Sequence, residues 1–214
     1  MSNPMGLTFP SDLLYEFSTL VVVLDPIATV PVFMAVTQGL ERKEALRVGF
    51  YSLCIAFFIL LFFIVFGQIF LSTLKIPMAS FQLAGSIILF TLGMAMIKGK
   101  LVEPTDNSAD GRSLVQRAAY PLAMPVIAGS GSILTVVMLT NNDTRTVAEQ
   151  AQTTVLLILC LSLHFISFSL AGYIKKYIGH TGIETIGRVF GLILTSLAVT
   201  GIVIAIKISF GLPQ

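Results

Sequence analysis

The sequence predicts an all-α membrane protein: six transmembrane helices in two inverted three-helix repeats, with the first and fourth helices broken. Three observations carry this. Hydrophobic residues make up 55% of the 214-residue chain and charged residues 11%, where a soluble domain carries about 25% charge. The charges cluster between long uncharged runs. Those runs are apolar all round rather than on one helical face, which is the pattern of helices bathed in lipid. They also lack the every-second-residue alternation of an outer-membrane barrel.

Taken in order, the first span covers about Phe17 to Leu40 and is the weakest by hydropathy, because it holds Asp25, Pro26, Thr29 and Pro31. The segment before it, MSNPMGLTFPSD, has no Lys or Arg. It therefore lacks the basic n-region of a cleaved signal peptide, and the first span is expected to stay. The second span, Val48 to Leu74, is the clearest, being longer than the roughly 20 residues a membrane helix needs. Ile76 to Ile97 is the third. Lys98 to Arg117, KGKLVEPTDNSADGRSLVQR, is polar and aperiodic and reads as a linker. Ala118 to Asn142, Gln150 to Ile174 and Val189 to Ile206 complete the six. The chain is thus one integral membrane domain, 1–214, with repeat 1 over about 12–98, a cytoplasmic linker over about 98–117 and repeat 2 over about 118–210.

Of the thirteen Lys and Arg residues, Lys75, Arg145 and Lys207 fall on one side of this layout and the other ten on the opposite side. Basic residues are retained in the cytoplasm, so both termini are expected outside an inner membrane. Three helices precede the linker and three follow it, so homologous halves must be inverted. A shift of 106 residues superposes Cys54 on Cys160 and Gly85 on Gly191, which is weak support. The opening helices match better: Asp25-Pro26-Ile27-Ala28-Thr29-Val30-Pro31 faces Pro125-Val126-Ile127-Ala128-Gly129-Ser130-Gly131. Proline removes a backbone donor, and each glycine disfavours helix by roughly 1 kcal/mol. Unpaired backbone survives at membrane depth only against protein, solute or water. Two matched breaks therefore point to a transporter site near the bilayer midplane; kinks alone are the plainer reading of either break taken singly.

The candidate site comprises Asp25, Pro26, Ala28, Thr29 and Pro31 from the first break, and Pro125, Ala128, Gly129, Ser130 and Gly131 from the second. Asp25 has no basic residue within a span to neutralise it. It is protonated, ion-bound or a cap for the half-helix beginning at Pro26, and is the candidate for a coupling proton or sodium ion. Glu16 is placed at the outer interface. His164, among serines in the fifth span, reads as a neutral imidazole bonded to another helix, with a proton relay as the alternative. Gly129-Ser130-Gly131-Ser132 is either a backbone cradle for a carboxylate at a half-helix N-terminus or, with His164, the dyad of a serine hydrolase. The latter lacks the G-x-S-G spacing of rhomboid-type proteases. Small residues in the third and sixth helices, among them Gly85, Gly93, Gly191 and Gly201, suit close helix packing. Cys54 and Cys160 lie in apolar runs without metal-ligand spacing, no cofactor motif occurs, and no Walker A run couples the chain to ATP.

Residues 25 to 33, DPIATVPVF, resemble the D/N-P-I-G-N-x-P-I-F segment of the MarC family, and residues 121 to 133, PLAMPVIAGSGSI, resemble its P-L-A-x-P-L-x-A-G-P-G-x-I segment. The basic loop, the polar linker and the six-span layout extend the resemblance over nearly the whole chain. Ala28 and Thr29 stand where the family usually has Gly-Asn, and Ser130 where it usually has Pro. The resemblance implies a bacterial or archaeal membrane protein similar to SnatA-type carriers of small neutral amino acids. The expected function is thus secondary transport of a glycine- or alanine-like zwitterion, coupled to a proton or sodium ion, by a chain that is not an enzyme and that allows a homo-oligomer. A channel-like or non-transporting membrane protein is the alternative.

Overall fold

The computed structural model describes residues 10–99, 113–140 and 145–212, apart from the side chains of 10–12, 173–181, 183 and 184. Among the described residues every regular element is helical: α1 (Pro10–Leu24), α2 (Thr29–Val36), α3 (Arg42–Thr73), α4 (Met78–Ile97), α5 (Leu114–Arg117), a wide-turned segment (Ala118–Ile127), α6 (Ser130–Leu139) and α7 (Val147–Phe210). The linker expected at 98–117 falls mostly outside the described residues.

Four stretches are long and apolar enough to cross a bilayer, Arg42–Thr73, Met78–Ile97, Val147–Gly172 and Thr185–Phe210; each bent pair, α1 with α2 and Leu114–Ile127 with α6, makes up one more, for up to six. Lipid-facing surface is ample. Phe58 is 68% exposed and Ile69 56%, which no aqueous surface of this size would favour.

α7 is helical throughout Val147–Phe210, with a first apolar arm at Val147–Gly172 and a second at Thr185–Phe210. The run nevertheless folds back. His164 and Leu194 would lie about 45 Å apart in a straight helix, yet His164 touches Leu24 while Leu194 shares a cavity with Leu24 and Asp25.

Neighbours fix the directions. Gly49 faces Phe168 and Gly172 faces Arg42, so α3 runs against the first arm of α7. Gly67 faces Val137 and Arg117 bonds Val36, so the fourth span runs along α3. Met96 and Ser86 of α4 meet Gly191 and Gly201, so α4 opposes the second arm. Successive spans alternate, and the first three have the opposite sense to the last three. Arg42, Arg117 and Arg188 gather at one end, with Glu16 and Arg145 at the other.

Between lipid-solvated helices apolar burial gives little net attraction, so close backbone approach matters more. A Cβ at Gly93 would come 2.9 Å from the Gly191 carbonyl oxygen, and one at Gly191 would come 2.9 Å from that of Gly93. These two glycines seat α4 on α7. The interior is otherwise apolar, with Leu20, Leu60, Ile64, Leu122 and Leu157 fully or nearly fully buried.

Candidate functional site

The first break bends its span by 42°. α1 ends at Leu24, and Asp25 turns the chain with a φ of 45°, a left-handed conformation that Asp tolerates because its short side chain bonds locally. Its Oδ1 accepts the Ala28 N–H at 3.0 Å. Asp25 is therefore a cap for the turn opened by Pro26, as its position before proline allows. The Thr29 hydroxyl donates to the Pro26 carbonyl at 3.0 Å, and the His164 Nε2 lies 3.2 Å from the Leu24 carbonyl oxygen. Local side chains and one imidazole from α7 thus meet the backbone that the break would otherwise strand.

The second break bends its span by 58°. Residues preceding proline are driven out of the helical region, and Tyr120 and Met124 are extended before Pro121 and Pro125. The Ala128 N–H reaches back to the Ala123 carbonyl at 2.8 Å. Gly129 opens α6 in an extended conformation with no side-chain cap. It must be glycine, since a Cβ there would strike the Pro125 carbonyl oxygen. The two half-helices resume at Thr29 and Ser130, within one residue of the register in which Ala28 pairs with Ala128.

Both breaks line one open cavity of about 130 Å³, lined also by Gly85 and Leu89 of α4 and by Phe190, Ile193, Leu194 and Leu197 of α7. Seven of the ten candidate residues reach it: Asp25, Ala28 and Thr29 with Pro125, Gly129, Ser130 and Gly131. Pro26, Pro31 and Ala128 do not. They are buried behind it and shape the breaks rather than the lining. Asp25 is the one charged residue among those lining the cavity. Ser130 lies tight against Gly85, where any Cβ would collide with the serine side chain. Both ring nitrogens of His164 sit against backbone carbonyls, of Leu24 and Cys160, which is not the serine–histidine pairing that a hydrolase dyad needs.

Two charged side chains are buried with partners distant in the chain. Glu16, expected at the outer interface, is 2% exposed within the protein; Arg145 Nη2 stands 2.8 Å from its Oε1, and the Thr153 hydroxyl donates to its Oε2 at 3.2 Å. A buried carboxylate needs such partners, and Arg145 had read as a loop charge. Arg117, counted with the cytoplasmic charges, is 6% exposed and donates from Nη1 to the Val36 carbonyl at 3.1 Å, closing the C-terminus of α2. Neither pairing leaves a sequence signal, because the partners are distant in the chain. A larger cavity of about 280 Å³, lined by Phe33, Met34, Leu46 and Phe168 with Arg42 at its edge, touches neither break.

These features define a multi-pass helical membrane protein with a small cavity held between two broken spans. The chain belongs to the MarC family: the family described as MarC family integral membrane protein matches residues 11–210. It is similar to UPF0056 membrane proteins of Aquifex aeolicus (27% identity over 89% of this chain and 90% of that one), Methanocaldococcus jannaschii (30%; 89% and 94%) and Bacillus subtilis (28%; 88% and 91%). The family thus spans bacteria and archaea. No solved structure matches the chain.

Proposed function

We propose that the protein is a secondary transporter of small neutral amino acids, of glycine or alanine size, coupled to a proton or sodium ion. The observation that carries this reading is the shared cavity, in which one carboxylate and one uncapped helix start face a volume of about 130 Å³. Drug-sized ligands occupy roughly 300–1,000 Å³, so the space suits a solute of a few heavy atoms. The first amides of α6, at the positive end of its dipole, take the solute carboxylate, and Asp25 faces its ammonium or the coupling ion. A zwitterion is the solute whose two charges match those two walls. Both termini lie outside an inner membrane, a reading supported by the basic cluster of Arg42, Arg117 and Arg188 at one end; a reporter fused at Gln214 that works only in the cytoplasm should stay silent.

Counterflow in proteoliposomes tests the reading. Preloaded glycine or alanine should accelerate entry of the labelled amino acid, and a channel-like protein would give no such exchange. Asp25→Asn keeps a capping oxygen of equal quality while removing the charge. It should retain exchange and lose accumulation against a gradient; undiminished accumulation would remove ion coupling from Asp25.

A further inference from the structure

His164 is fully buried and its ring touches two acceptors at once: Nδ1 lies 3.0 Å from the Cys160 carbonyl oxygen and Nε2 lies 3.2 Å from that of Leu24. A neutral imidazole carries one N–H, so in either tautomer one ring lone pair points at a carbonyl lone pair. An imidazolium donates to both. The Leu24 carbonyl is also special, as it is the last of α1, where unpaired carbonyls and the helix dipole favour a cation. The other half-helix of the same span ends alike, with the Arg117 guanidinium on the Val36 carbonyl. A permanent cation thus closes α2 and a titratable one closes α1. Asp25 follows Leu24 directly in the chain, Cys160 is one turn away on the helix of His164, and Phe168 packs edge-on at 6.3 Å.

Resting on the transport reading above, we infer that the coupling ion is a proton and that His164 binds it, with Asp25 as the counter-charge across the first break. Protonation locks the imidazole onto the end of α1 and fixes Asp25 at the cavity wall. Loss of the proton leaves one ring nitrogen repelling a carbonyl, which loosens the hinge between α1 and α2. Asp25 and His164 then form one coupling unit, so neutralising either has the same consequence.

The test has two arms. The chain has two histidines, so His180→Gln leaves His164 as the only imidazole, and nitrogen NMR of the labelled ring in lipid nanodiscs reads its protonation directly over about pH 5 to 8. The expected result is conversion from one neutral tautomer to the doubly protonated ring as pH falls, with a lower midpoint in Asp25→Asn. A ring that keeps one neutral tautomer throughout overturns the proposal. In proteoliposomes, His164→Gln should keep glycine or alanine counterflow and lose accumulation driven by a pH gradient; accumulation that persists, or that follows a sodium gradient in the wild type, overturns it too. If the wild type shows no counterflow with either amino acid, the transport reading fails, and the NMR arm alone decides whether His164 is a proton site.

Discussion

The two breaks occupy matching places in the two halves and bend their spans by similar angles, yet they are built from opposite chemistry. The first is polar and satisfies itself: Asp25 caps Ala28, Thr29 bonds Pro26, and His164 reaches Leu24. The second is made by prolines that push Tyr120 and Met124 out of the helix and by glycines that let α6 begin bare. One wall of the cavity therefore offers charge and side-chain acceptors, and the other offers backbone donors. A broken helix at membrane depth can be stabilised by its own side chains or begin without a side-chain cap, and the two halves differ in this way.

Removing the polarity of the first break should have the largest effect. Asp25→Ala strands the Ala28 N–H and deletes the only charge on the cavity wall. Loss of a cap costs about 1 kcal/mol, and the Ala28 donor left unpaired is part-buried, which adds to that cost. We expect a lower unfolding midpoint in detergent and no uptake; wild-type stability would show that the cap is dispensable. Next in size is the seam between α4 and the second break. Gly85→Ala drives a methyl into Ser130, and overpacking of this kind costs about 1–3 kcal/mol. Adding Ser130→Gly should recover most of that loss, and additive losses in the double variant would separate the two positions. The smallest effect belongs to Ser130→Ala, which keeps the Cβ against Gly85 and all backbone amides. Transport should stay within a few-fold, whereas abolition in a folded protein would argue for the hydroxyl over the amides.

Much of this was legible in the sequence because lipid imposes simple rules. Uncharged runs of about 20 residues are spans, and Pro26, Pro125, Gly129 and Gly131 mark breaks wherever they fall in such runs. The register between Ala28 and Ala128 held to one residue for that reason. What escaped was chosen by tertiary contact. Glu16 and Arg145 lie far apart in the chain, and Val36 and Arg117 are 81 residues apart, so neither pair forms a local pattern. The division of the ten candidates into seven that line the cavity and three that lie behind it depends on helix rotation, which prolines do not reveal. The helical course of the chain between the fifth and sixth spans was not legible because charge between two apolar runs reads as a loop, although charge and helix are compatible.

Whether a small zwitterion binds between the two breaks can be read at Gly131. It lines the cavity, and a Cβ there would meet nothing closer than Val23 at 3.9 Å, so the side chain of Gly131→Leu starts without a clash and is placed to occupy the space. In a thermal-shift titration of purified protein, glycine or alanine should raise the unfolding temperature of the wild type and leave that of Gly131→Leu unchanged. An equal shift in both proteins would place the solute elsewhere and contradict the account.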